Sequence, residues 1–300
     1  MLNPTASIII PAHNGQGFLA RALRSLLQQT CQDFDVVVVS DDGFDYLPLA
    51  QTVMGARVRH AFTPRPHSGP ATARHTGIGL TQSRVLGFLD VDDEYAPRRV
   101  EKLLPLALEH GAATCNLTRI DDATRVVVNR SCPAGAPPDG IFKAKHVPWL
   151  EGPLVPFVRR DCLMAYPDLW LFEDIFFLMR VVARAGGGIP VVDDEDATYR
   201  YLIQPKSLSY GTERDELTTR MYELIIRHAT RGGPLFDGAP DDARRAFLAC
   251  FRLKAARNAA YVAAKAIEPD LDFQKFSPRF DADMAELIAQ VPADIQPWAR

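Results

Sequence analysis

Nothing in this chain is built to cross a membrane. Its apolar runs are short, and none approaches the ~18 residues a spanning helix needs. Residues 1–12 carry no basic segment leading into an apolar one, so no secretory signal is expected. Cysteine is scarce and scattered: Cys31, Cys115, Cys132, Cys162 and Cys250 stand far apart, with no Cys-x-x-Cys pair. That excludes a disulfide framework and a zinc site, and predicts reduced thiols in a cytoplasmic protein, soluble or peripheral to the inner membrane. A surplus of basic charge is missing too. A net charge of −3 and a pI near 6.2 leave no electrostatic footprint for nucleic acid, and the arginines are dispersed. There is no internal repeat.

What is present is the composition of an ordinary globular protein, 47% apolar and 24% charged over 300 residues, enough for one large core or two small ones. The first ~110 residues alternate strand and helix patterns, the signature of a mainly parallel sheet flanked by helices. Strands are expected at Ser7–Ile10 (closed by Pro11), Val36–Val39, residues 57–62 and Val85–Leu89. Helices are expected at Phe18–Gln29, at Gly69–Thr81 and after Pro97, the last with Val100, Leu103, Leu104, Ala107 and Leu108 inward. Further on, strands are predicted at 113–120, 153–159, 189–192 and 197–203, and a helix at Glu173–Ala185, stopped by Gly186-Gly187-Gly188. The breaker-rich stretch 131–140 reads as a flexible lid. After Gly211 come amphipathic helices at about 214–231, 241–266 and 281–290. The fold class is α/β with a Rossmann-like nucleotide half (1–112), an acceptor half (113–212) and a helical C-terminal extension (213–300).

The chemistry concentrates in Val85-Leu86-Gly87-Phe88-Leu89-Asp90-Val91-Asp92-Asp93. A buried strand cannot hold such charges inside, so they emerge at its carboxyl edge, where open α/β sheets bind ligands. Hard carboxylate oxygens suit Mg²⁺ or Mn²⁺ and, through the cation, a diphosphate. Asp92, last in Asp-x-Asp, is the first choice for the metal, with Asp90 beside it on the ribose or a metal-bound water. The second strand also ends in carboxylates, Asp41 and Asp42, where a base or ribose would lie; a carboxylate accepts from uracil, thymine or guanine alike. Singly, each motif has a plain explanation: an acidic turn, a tight Asp-Gly turn, acids favouring a helix N-terminus.

In order, Pro11-Ala12-His13-Asn14, Asp41-Asp42-Gly43, Gly69-Pro70-Ala71-Thr72-Ala73-Arg74-His75-Thr76-Gly77, Asp90-Val91-Asp92-Asp93 and Glu173-Asp174 resemble the motifs of the family 2 inverting glycosyltransferases of the GT-A fold. The resemblance covers roughly residues 5–210 and departs from the family pattern at His13 and Phe44, where Tyr and Ser are usual. It implies that 1–212 is a GT-A glycosyltransferase domain. It implies a metal-dependent enzyme that moves a sugar from a UDP, GDP or TDP donor to a hydroxyl of a carbohydrate or lipid-linked acceptor, in polysaccharide or glycoconjugate synthesis. Asp42 is then the preferred base contact, with Pro11, Ala12 and Asn14 lining its pocket through backbone groups. Arg74 would hold a phosphate or cover the base, and Asp174 would be the catalytic base. Glu173, Trp170, Arg200 and Lys206 would stand on the acceptor and diphosphate side. The C-terminal helices are expected to buttress the domain or join subunits in a homo-oligomer. Competing readings are a haloacid-dehalogenase-type phosphohydrolase, disfavoured by Asp93 and by the idle Asp-Asp-Gly strand, and a silent sugar-nucleotide-binding protein. A Rossmann dehydrogenase lacks its third glycine after Gly15-Gln16-Gly17.

Overall fold

Two β-branched runs organise the first structural unit. Ile8, Ile9 and Ile10 of β1 (Ala6–Ala12) and Val36 to Val39 of β2 (Phe34–Ser40) are fully buried. Each such side chain contributes about 1.5–3 kcal/mol by leaving water. The computed structural model describes residues 4–150, 152, 154–169, 171–204, 214–271, 276 and 286–298. These fall into two compact units, 1–143 with 150–204, and 144–149 with 205–300.

In the first unit, β1 lies between β2 and β4 (Val85–Phe88), with β3 (Val58–Phe62) outside β2, all parallel. The crossovers run through α1 (Leu19–Leu27), α2 (Leu47–Met54) and α3 (Pro70–Gly79). Pro11 continues β1 instead of closing it. Pairing with β4 ends at Ile9, so its missing N–H falls where the strand has a neighbour on one side only. Gly77 sets how closely α3 approaches the sheet: an added Cβ would stand 2.5 Å from Ile9 Cγ2.

Beyond β4 the direction changes. After β5 (Glu94–Tyr95) and α4 (Arg99–His110), β6 (Ala112–Cys115) and β7 (Leu117–Asp121) replace the single strand expected at 113–120. Asn116 makes the break. Its Oδ1 accepts from the N–H groups of Leu117 and Cys132 and its Nδ2 donates to the Cys132 carbonyl, imitating a backbone partner. The same contacts pin one end of 131–140, and the Gly135 N–H is held by Asp193, so this stretch is anchored where a free lid was expected. The remaining strands are β8 (Val127–Arg130), β9 (Ile141–Lys143), β10 (Phe157–Arg159), β11 (Gly188–Val192) and β12 (Tyr199–Ile203). β10 is shorter than expected; Pro156, which has no N–H to offer, precedes it. The large sheet runs β3-β2-β1-β4-β10-β6-β11-β9, with β10 antiparallel to both neighbours, and a smaller one runs β5-β12-β7-β8. α5 (Glu173–Arg184) buries Phe176, Phe177 and Leu178.

The second unit is built on α6 (Arg214–Arg231) and α7 (Asp241–Ile267), close to the helices expected there. Phe247 stacks parallel on Phe251, and the Cys250 thiol and Lys254 ammonium both donate to the Pro148 carbonyl. Residues 144–149 thus pack with these helices, apart from the acceptor half to which the sequence assigns them. Of the helix expected at 281–290, residues 286–289 are helical and 281–285 lie outside the described residues. No helix among the described residues is long and apolar enough to cross a membrane.

Candidate active site

The carboxyl ends of β1, β2 and β4 meet at one edge of the large sheet, and each loop leaving them carries site residues. After β2, Asp42 is saturated. Its Oδ2 accepts from the Asn14 N–H (2.7 Å) and the Tyr46 hydroxyl (2.7 Å), its Oδ1 from the Ser40 hydroxyl and the Phe44 N–H (both 3.0 Å). Burial works to raise its pKa, but these four donors together hold it below the usual carboxylate range. A base has no lone pair to find there, which tells against Asp42 as the direct contact. Asp41 accepts from Thr63 Oγ1 and the Ser68 N–H on one oxygen and from the Gly69 N–H on the other. One acceptor position stays open on Oδ2, with His13 Nδ1 3.9 Å away.

The backbone groups expected to line this pocket are also engaged. The Ala12 carbonyl accepts from the Asp41 N–H, and Pro11 is half-buried in β1. Asn14 takes a left-handed backbone (φ 50°), which aims its N–H at Asp42 and leaves its side chain exposed. Tyr46, fully buried, accepts from the Gly15 N–H while donating to Asp42. Gly15 in turn lies against the acidic motif: an added Cβ would be 2.6 Å from Val91 Cγ2.

After β4 the balance is reversed. No neighbouring group among the described residues donates to the Asp92 carboxylate, and burial, with the charge of Asp90 beside it, pushes its pKa up to about 6. Its backbone carbonyl is held by Arg21 Nη2 at 2.7 Å. Asp93 turns inward, accepting from the Tyr199 hydroxyl (2.8 Å) and the Leu202 N–H (2.9 Å); burial raises its pKa strongly. Asp93 therefore holds structure, and the two outward carboxylates are Asp90 and Asp92.

Arg74, on α3, joins this motif to the start of α5. It is 8% exposed and donates to Asp90 Oδ1 at 2.8 Å and Glu173 Oε1 at 3.2 Å, with its guanidinium 5.1 Å from the centre of the Tyr166 ring. Burial opposes its charge, yet Asp90, Tyr166 and Glu173 hold its pKa well above the usual arginine value. Burial, then the neighbouring Asp174, pushes Glu173 up to about 7; burial likewise raises Asp174, although Arg74 works against it. Phe172, just before this pair, is left-handed (φ 70°), a conformation costing a non-glycine residue about 1–2 kcal/mol. Asp174, Asp90, Arg74 and Tyr166 line one cleft, walled by Phe88 and Phe177.

Arg200 is not brought to this cleft. On β12 the Tyr199 side chain reaches Asp90 and Asp93, so Arg200 projects from the opposite face, toward Arg21 and Arg24 of α1. Trp170 and Lys206 lie outside the described residues. Arg21, Tyr46 and Tyr166 are site-building residues that carry no local signal, since their partners are distant in sequence. No group of three or more His, Cys, Asp or Glu side chains converges to hold a metal among the described residues.

The model of "Glycosyl transferase family 2" matches residues 7–160, just over half of the chain. The chain is 34% identical over 110 residues to "Succinoglycan biosynthesis protein ExoO" of Rhizobium meliloti, a match covering 36% of this chain and 31% of that protein. It covers less than half the length of the first curated relatives it matches. Among solved structures it is similar to S. aureus TarS 1-349 in complex with UDP-GlcNAc, with a TM-score of 0.64 and 17% identity, over 97% of this chain and 82% of that one. It is also similar to the mannosyltransferase PcManGT of Pyrobaculum calidifontis in complex with GDP-Man and Mn²⁺, with a TM-score of 0.51 and 16% identity, over 96% and 86%. The mixed sheet with its parallel β3-β2-β1-β4 half is thus the GT-A fold, and the chain belongs to glycosyl transferase family 2.

Proposed function

We propose that the protein is a metal-dependent inverting glycosyltransferase, with 1–212 as the catalytic domain and 213–300 as a helical extension. It would move a sugar from a nucleoside diphosphate donor to a hydroxyl of a carbohydrate or lipid-linked acceptor, in polysaccharide or glycoconjugate synthesis. One observation carries this reading: Asp90, Arg74 and Asp174 share one cleft, with the undonated carboxylate of Asp92 two residues from Asp90. Two carboxylates are too few to cage a cation alone, but they fit Mg²⁺ or Mn²⁺ completed by phosphate oxygens and water. Two crowded, partly desolvated carboxylates also gain from a cation between them. Asp92 would ligate it, with Asp90 alongside; the bound cation supplies Lewis-acid stabilisation of the leaving diphosphate.

The rest of the reaction falls to the chain itself. As the acceptor oxygen bonds to the anomeric carbon and the bond to the diphosphate oxygen breaks, the hydroxyl proton passes to Asp174. Its raised pKa suits it to that proton. Arg74 keeps Asp90 and Glu173 in place and supplies positive charge beside the diphosphate. Asp41, with its open acceptor position, would meet the base, while Asp42 shapes the loop. Donor complexes of TarS with UDP-GlcNAc and of PcManGT with GDP-Man support a nucleotide-sugar donor without selecting which. A panel of UDP, GDP and TDP sugars, assayed with Mn²⁺ for slow donor hydrolysis and by calorimetry, tests the proposal. Asp92→Ala should abolish cation-dependent nucleotide binding; undiminished affinity in that variant rejects the metal assignment.

A further inference from the structure

Arg200 projects from the opposite face of β12 from Tyr199, into a groove it shares with Arg21, Arg24, Gln28 and Glu94. The charges there do not cancel. Glu94 is already taken by Arg125 (2.9 Å) and by Arg21 (3.5 Å), and Arg21 is also paired to Asp122 at 2.6 Å. Arg24 and Arg200 pair with no carboxylate of the described residues. Two guanidiniums without acidic partners, facing one concavity beside a carboxamide, make a positive site with planar donor forks left to fill. Neighbouring arginines repel one another, so leaving them facing a shared hollow is favourable when an anion occupies it.

We infer that this groove binds an oxyanion of the phosphate class, held between Arg24 and Arg200 with Gln28 at its edge. It is separate from the cleft of Arg74 and Asp174 and does not rest on the glycosyltransferase reading. It still borders that chemistry, because Arg21 lines the groove while holding the carbonyl of Asp92. An anion drawing on Arg21 would bear on the Asp-x-Asp turn from behind. The phosphate has two sources, a free phosphorylated molecule or a phospholipid headgroup, and one pair of measurements separates them.

Inorganic phosphate is titrated calorimetrically into the full chain and into Arg24→Gln/Arg200→Gln, whose replaced side chains are exposed or half-buried and whose folding is checked by thermal melting. The double variant should bind at least about tenfold more weakly, having lost two charge-assisted contacts, and added salt should weaken the parent. Flotation with vesicles containing one-fifth anionic phospholipid, seen with the parent and lost in the double variant, makes the headgroup the source; phosphate binding without flotation makes it soluble. Equal affinity of parent and variant for phosphate, together with equal flotation or none, overturns the site.

Discussion

The carboxylates after β2 and those after β4 stand at the same sheet edge but differ in how many donors reach them. Asp42 is filled by four protein donors and its proton affinity falls. Among the described residues Asp92 meets none from a neighbour, Asp174 accepts from backbone N–H groups at its own position and at Ile175, Glu173 shares one arginine, and in all three the proton affinity rises. The same residue type thus serves two purposes. A saturated carboxylate fixes a loop and has little left to offer a ligand. An under-donated one is held at an energetic cost that a cation, a phosphate-bound metal or a proton can relieve.

The sharpest way to break this contrast is at Asp174. Asp174→Asn should keep nucleotide affinity and lose transfer by about 10²- to 10⁴-fold, the usual worth of a positioned base. In the parent, transfer should rise with pH through a value above the ordinary aspartate 3.8, because only the ionised carboxylate takes the proton. Full turnover in the variant removes Asp174 from the chemistry. Next comes Arg74→Gln, which leaves Glu173 and Asp90 facing each other without their cation. About 3 kcal/mol of stability should go, read from the urea midpoint. The deficit should grow from about pH 6 to about pH 8, because Glu173, with its pKa raised to about 7, is neutral at the lower pH and charged at the higher.

Gly15→Ala probes the link between the two sets of carboxylates, since its methyl would meet Val91 between Asp90 and Asp92. About 1–3 kcal/mol of stability and part of the cation-dependent nucleotide affinity should be lost, and both recovered by adding Val91→Ala. The smallest effect belongs to Asp42→Asn, which turns an amide NH₂ toward groups that are themselves donors. It should cost about 1–2 kcal/mol near neutrality. Asp42 has a depressed pKa, so its contribution is present above the ordinary value of 3.8 and lost as acid protonates it; parent and variant should converge there. A constant gap down to pH 3 would mean that its charge contributes nothing.

How much of this was legible depended on the distance between cause and effect along the chain. The isoleucine and valine runs announce β1 and β2, because residues buried on both faces must be apolar throughout. The emergence of Asp90 and Asp92 from Val85–Phe88 follows from the cost of burying charge. Helix α2 was missed because only Ala50 and Met54 of its eight residues are buried, too few for a periodic face. The break at Asn116 was hidden because a side chain there does the work of backbone. Tyr46, Arg21 and Tyr166 act on residues brought close only by the sheet. The side of the strand on which Arg200 falls was readable from its alternation with Tyr199, but only once the partners of Tyr199 were known. The sequence also could not show how Asp41 and Asp42 differ, because the four donors that fill Asp42 are placed by the fold.

The Tyr199 hydroxyl accepts from the Asp90 N–H and donates to Asp93, so a single oxygen atom rivets the small sheet to the turn after β4. The chain between residues 95 and 199 can therefore lengthen or shorten its loops while Asp90 stays where that rivet puts it. The segments between them become interchangeable fittings on a fixed mount, and they can change without disturbing the turn that carries Asp90 and Asp92.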